Sequence, residues 1–119
     1  MKLLLFVFLS LLLTIQNGSY SIKPFLDYLQ KKGYWEVIYN IKKVFCDEVA
    51  IDICIKLTDS PSDCEEVVRD YMNTPPIRRC PAKPLAEMKK NLIPIKEPEI
   101  RRKLNETELK RTIKKCCPL

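Results

Sequence analysis

All six cysteines of the chain, Cys46, Cys54, Cys64, Cys80, Cys116 and Cys117, lie downstream of an apolar leader. That arrangement restricts the fold more than any other feature. Lys2 precedes an apolar run from Leu3 to Leu13 broken only by Ser10, and the small residues Gly18, Ser19 and Ser21 follow. This is the layout of a secretory signal peptide. The run is eleven residues long, short of the roughly 20 that a membrane-spanning helix needs. Cleavage is expected after Ser21, with Gly18 and Ser19 as rival ends, so that residues 1–21 are removed and residues 22–119 form one secreted, extracellular, soluble domain. An even cysteine count behind a signal peptide argues for disulfides, because the export route is oxidising. Zinc is a poor alternative. The chain has no histidine, and the cysteine spacings match no thiolate ligand pattern.

Charge divides the mature chain into two halves. Residues 22–72 carry seven Lys/Arg against ten Asp/Glu, whereas residues 73–119 carry thirteen against five. An acidic half with a net charge of −3 therefore precedes a basic half of +8. The basic residues fall in clusters: Arg78-Arg79, Lys89-Lys90, Arg101-Arg102-Lys103, Lys110-Arg111 and Lys114-Lys115. Such clusters offer a cationic surface to an acidic extracellular receptor or an anionic membrane. The plainer alternative is an ordinary solvated face. Some of these dibasic pairs are also potential cuts for processing proteases. Nucleic acid is an unsuitable partner for an exported chain with no aromatic residue after Tyr71.

Periodicity points to helices. Pro24 suits a first helical turn, Phe25, Leu26, Tyr28 and Leu29 form an apolar stripe, and Gly33 supplies a stop. Tyr34, Ile38, Ile41 and Phe45 recur at helical spacing in the next segment. Residues 46–57 fit two readings. Val49, Ile51, Ile53, Ile55 and Leu57 alternate as in a strand, whereas Cys46, Ala50, Ile53 and Leu57 make a helical stripe. Helix is preferred, because a strand here has no partner to pair with. Residues 58–63 read as a loop ending at a helix start, with Ser60 as cap and Pro61 in the first turn. Cys64, Val67, Val68, Tyr71 and Met72 form the stripe of the helix that follows.

Prolines keep residues 73–84 irregular. Leu85, Met88 and Leu92 outline a short helix starting near Pro84. Residues 95–97 form an extended connector, Ile100 and Leu104 pack one turn apart, and Asn105 with Glu108 resembles a capping pair opening a last helix. Leu109, Ile113, Cys116 and Cys117 would face inward there. The expected fold is mostly α, a small disulfide-crosslinked bundle of four to six short helices.

If both segments flanking residues 58–63 are helical, Cys54 and Cys64 face each other across a hairpin, and they are the preferred pair. Cys116 and Cys117 are adjacent, and a bond between neighbours strains the peptide between them. Each is expected to take a separate partner, Cys46 or Cys80, in an order the sequence leaves open.

Catalysis is not expected. Without histidine the common general base at neutral pH is missing, and Asp59 with Asp63 or Glu65 with Glu66 are explained by capping and solvation. With only Gly18 and Gly33, the chain has no phosphate-cradling loop, and neither cofactor nor metal is expected. Asn105-Glu106-Thr107 is an N-glycosylation acceptor, whereas Asn17 would leave with the signal peptide.

The run from Cys54 to Met72, CIKLTDSPSDCEEVVRDYM, resembles the middle of a saposin-like domain. The resemblance implies an all-helical, lipid-interacting protein with a Cys54–Cys64 bridge and helix on both sides of it. It covers this run only. Cys46 stands without a near neighbour, and Cys116 and Cys117 touch, unlike the family's opening and closing cysteines. Two functional expectations follow. The first is a non-enzymatic cationic effector (a toxin, host-defence factor or signalling ligand) acting by non-covalent binding. The second, implied by the resemblance, is a lipid or hydrophobic-ligand binder lined by Phe25, Tyr34, Trp35, Ile38 and Phe45.

Overall fold

The computed structural model describes residues 22–75 and 79–118, so the leader and Arg78 lie outside the described residues. Within them every regular element is helical. The α-helices are α1 Ile22–Lys32, α2 Tyr34–Val44, α3 Asp47–Thr58, α4 Pro61–Glu66, α5 Pro84–Asn91, α6 Pro98–Lys103 and α7 Glu106–Ile113. A π-helical turn, Val67–Tyr71, extends α4. Three disulfides cross-link the bundle. This is the mostly helical fold the sequence implies, with seven described α-helices rather than four to six. The surplus is α6, which the sequence shows only as an apolar pair one turn apart.

Gly33 separates α1 from α2 with φ 75°, a left-handed conformation that L side chains rarely adopt. The chain turns there, and Ile22, Phe25 and Leu29 of α1 pack toward the core. Tyr28 does not join their stripe. It is exposed and meets Tyr34 edge to face. Cys46 adopts an extended backbone between α2 and α3, so the helical stripe runs on but the helix does not. Helix is the correct reading of residues 47–58, and Ala50, Ile53, Cys54 and Leu57 are buried. α3 is the central element, packed against α2, α4, α6 and α7.

The helix starting at Pro61 departs from expectation at both ends. Ser60 makes no side-chain cap. Its hydroxyl instead donates to the Thr58 carbonyl at 3.5 Å, and its amide donates to Thr58 Oγ1 at 3.3 Å. At the other end the Met72 amide reaches back five residues to the Val67 carbonyl at 3.1 Å. A π turn inserts one residue per turn into the 3.6-residue repeat. The insertion turns Tyr71 out to solvent and Met72 into the core, although an α stripe would bury both.

The widened helix end leaves carbonyls that Lys42 satisfies. Its side chain is 3 % exposed, and its ammonium donates to the carbonyls of Val68 at 2.5 Å and Met72 at 2.7 Å, with Asp47 Oδ1 at 3.7 Å. At the other end of α2, Tyr34 is fully buried and bonded to Glu97. Burial first, and the Glu97 carboxylate next, push its phenol up to about 12. It therefore stays protonated and holds the connector before α6 onto α2.

Asp52 of α3 ties down the C-terminal segment. Its carboxylate accepts from Lys56 at 2.8 Å, from the Thr112 hydroxyl, and from Lys115 at 3.4 Å. Burial acts to raise its pKa, but the Lys56 and Thr112 hydrogen bonds and the charges of Lys56 and Lys115 outweigh it and hold it below the ordinary value of 3.8. A carboxylate depressed in the folded state adds stability above its unfolded pKa, and that stability is lost as the pH falls through the folded one. Asp52→Asn is therefore expected to lower stability at neutral pH and to flatten the loss of stability below about pH 4. Urea unfolding of both proteins across that range checks it, and parallel acid limbs would remove Asp52 from the account.

Candidate functional site

The cysteines set the frame. Cys54 pairs with Cys64, Cys46 with Cys116, and Cys80 with Cys117, at Cα separations of 5.7, 6.1 and 5.3 Å. The adjacent cysteines thus take separate partners, and they lie just past α7 rather than within it. Because Cys116 and Cys117 are neighbours, their two bridges hold Cys80 close to Cys46 at the end of α2. The Arg79 amide also donates to the Phe45 carbonyl at 2.8 Å. Arg79 and Cys80 are consequently fastened at the C-terminal end of α2. The sulfurs of Cys46 and Cys116 lie within 4.8 Å of a Glu48 oxygen, but both are consumed by their bridge, leaving one metal ligand at most.

The structure places the residues of the expected basic surface as follows. Arg79, Lys89, Lys90, Arg101, Arg102, Lys103, Lys110, Arg111, Lys114 and Lys115 are all exposed. Several are nevertheless engaged within the molecule. Lys89 and Lys110 both pair with Glu106, at 3.2 and 3.4 Å, and hold its carboxyl below its ordinary pKa. Lys103 pairs with Asp59 at 3.0 Å, Arg111 with Glu108 at 2.9 Å and Lys115 with Asp52 at 3.4 Å. Arg101 donates to the Ile95 carbonyl at 2.8 Å. Arg79, Lys90, Arg102 and Lys114 have no carboxylate within ion-pair distance among the described residues. Of the acidic residues weighed as a catalytic pair, Asp59 is taken by Lys103, and Glu65 pairs with Arg69 at 3.5 Å.

Asn105 caps α7, its Oδ1 accepting from the Glu108 amide at 3.0 Å and its Nδ2 donating to the Arg102 carbonyl at 3.2 Å. Glu108 does not return the capping bond, because its carboxylate is turned to Arg111. The side chain is at the surface, where a glycan on Nδ2 would leave the Oδ1 cap intact.

The proposed hydrophobic-ligand lining is resolved differently. Phe25, Tyr34, Ile38 and Phe45 are buried in the core. Trp35 alone is only partly buried. It begins a row on the outer face of α2, where Trp35, Tyr39 and Lys43 stand at four-residue spacing, one turn apart. A cleft of about 160 Å³ lies beside this row, lined by Tyr39, Lys43, Asn73, Thr74, Pro75 and Arg79. The Lys43 ammonium sits 5.7 Å from the Tyr39 ring centroid. Thr74 Oγ1 is buried and has no hydrogen-bond partner among the described residues, a condition that costs about 1–3 kcal/mol unless water or a ligand relieves it.

The sequence signalled only one end of this cleft, at Arg79. Lys43 sits in the acidic half and Thr74 in a proline-rich stretch; the Lys42 contact to the Met72 carbonyl, the Arg79–Phe45 backbone bond and the paired bridges bring them together. Family models, curated proteins and solved structures yield no match to the chain.

Proposed function

We propose that the mature chain is a secreted, non-enzymatic binding protein. Its uncompensated cations dock it on an acidic extracellular receptor or anionic surface, as a toxin, host-defence factor or signalling ligand would act. One observation carries this reading. After internal ion pairing, Arg79, Lys90, Arg102 and Lys114 remain exposed with no carboxylate partner among the described residues. Unpaired exposed cations are free to attract an anion without first breaking an internal contact. Three disulfides suit an extracellular, oxidising compartment, and no helix of the described residues is long and apolar enough to cross a membrane. The lack of histidine supports a role without acid–base chemistry.

Binding of the oxidised, labelled protein to intact cells tests the reading. The amount bound is expected to fall steeply as salt rises from about 0.01 to 0.15 M, since the screening length shortens from about 30 to 8 Å. Salt-insensitive binding would remove the electrostatic role. The lipid-binding alternative predicts a blue shift of Trp35 fluorescence on anionic vesicles.

A further inference from the structure

The outer face of α2 carries chemistry that a diffuse positive charge does not explain. Three concavities share walls along it. Trp35, Glu36, Tyr39 and Asn40 line one end, and the cleft of Tyr39, Lys43, Thr74 and Arg79 forms the middle. A more open hollow beside Lys43, Arg79 and Cys80 continues it. Tyr39 belongs to the first two, and Lys43 and Arg79 to the last two, so they form one groove.

The groove changes character along its length. At the Trp35 end, two partly buried aromatic rings stand beside a carboxylate and an amide. Ring faces carry a negative quadrupole that attracts the polarised C–H groups of a sugar, while Glu36 and Asn40 offer acceptors and donors to its hydroxyls. In the middle, the Lys43 ammonium and the Arg79 guanidinium share the lining with Thr74, whose buried hydroxyl has no hydrogen-bond partner among the described residues. The two exposed cations match a sulfate ester, whose oxygens accept charge-assisted hydrogen bonds from both. Glu36 repels any anion extended over the aromatic end, so a uniformly anionic polymer or bilayer suits the groove less well than a sugar charged at one end.

We propose that this groove binds a sulfated extracellular oligosaccharide, with its sugar ring on Trp35 and Tyr39 and its sulfate between Lys43 and Arg79. The proposal rests on the reading of the protein as an exported binding protein, and it names the ligand class and the site.

Trp35 is the only tryptophan, so its emission reports directly on the groove. The oxidised protein is titrated at physiological salt with sulfated tetrasaccharides of the chondroitin and heparan types and with their desulfated counterparts. At least one sulfated tetrasaccharide is expected to change Trp35 emission, with its desulfated form at least about tenfold weaker. Lys43→Gln with Arg79→Gln is expected to weaken binding about tenfold. Lys90→Gln with Lys114→Gln, which removes unpaired cations outside the groove lining, changes it by no more than about threefold. All four side chains are exposed, and far-UV circular dichroism verifies that each variant is folded.

Equal losses in the two double variants would show diffuse charge attraction and overturn the site while leaving the proposed function standing. Silence toward every tetrasaccharide, with salt-dependent cell binding intact, overturns the site in the same way. A Trp35 response confined to phosphatidylserine vesicles overturns the sugar in favour of a lipid headgroup. Loss of cell binding together with sugar binding removes both readings.

Discussion

Reduction of all three disulfides in an otherwise native buffer is expected to unfold the protein at room temperature. The Cys54–Cys64 bridge closes a ten-residue loop, which the chain-entropy relation values at about 3 kcal/mol. The other two bridges are coupled. Cys46 and Cys116 are 70 residues apart and Cys80 and Cys117 are 37 apart. With either bond in place, the peptide between Cys116 and Cys117 offers the other a short route. The ring from Cys46 through Cys80 and back is then roughly 35 residues, and each bond contributes about 4 kcal/mol. The three together contribute about 11 kcal/mol, comparable to the whole stability of a typical domain. Far-UV circular dichroism with and without reductant, alongside a count of free thiols, checks this. Full helicity with six reduced cysteines would show that the apolar core suffices alone.

Lys42→Met is expected to cost about 2–4 kcal/mol, a large effect for a single substitution. Methionine preserves the length and much of the volume of lysine, so packing loss is small. What disappears is the donor to the Val68 and Met72 carbonyls, which then stay buried without a partner. Relief from burying an ammonium offsets part of that cost, which keeps the estimate below the sum for two orphaned carbonyls. Asp47→Asn is a milder lesion, about 1 kcal/mol, because Lys42 retains both carbonyls and Asp47 is shared with Arg69 at 3.7 Å. Urea denaturation of the two variants separates the effects. Should Lys42→Met lie within about 0.5 kcal/mol of the parent, the carbonyl contacts carry no stability.

Lys42 also shows where sequence reading stops. It occupies α2 between Ile41 and Lys43, and in the local pattern it looks like one of two solvated lysines in a last turn. Only Lys43 is solvated. The distinction depends on a π turn some thirty residues later, whose unpaired carbonyls lie above Lys42 once α2 and the extended α4 pack together. The same insertion explains Tyr71, because an apolar stripe presumes an unbroken 3.6-residue repeat. Ser60 failed as a cap for a related reason. Thr58, two residues earlier, offered its side chain and carbonyl first.

The basic clusters illustrate a different gap. Arg101-Arg102-Lys103 is one motif in the sequence and three unlike residues in the fold. Arg101 is bonded to backbone, Arg102 has no carboxylate partner among the described residues, and Lys103 is paired to Asp59, 44 residues away. A charge count treats cations as interchangeable, whereas their availability to a partner depends on which carboxylates the fold places beside them.

The sequence alone determined the helical class, most helix starts and stops, the buried stripe of Cys46, Ala50, Ile53 and Leu57, and the cysteines' need for partners. These are local matters of side-chain period, proline and glycine geometry, and the short reach between adjacent residues. Tertiary structure alone decided which of Cys46 and Cys80 joins which neighbour, which cations stay free, and that Lys43, Thr74 and Arg79 share one cleft. Those outcomes depend on distances between segments remote in the chain, which are set only when the apolar faces pack and the two adjacent bridges close.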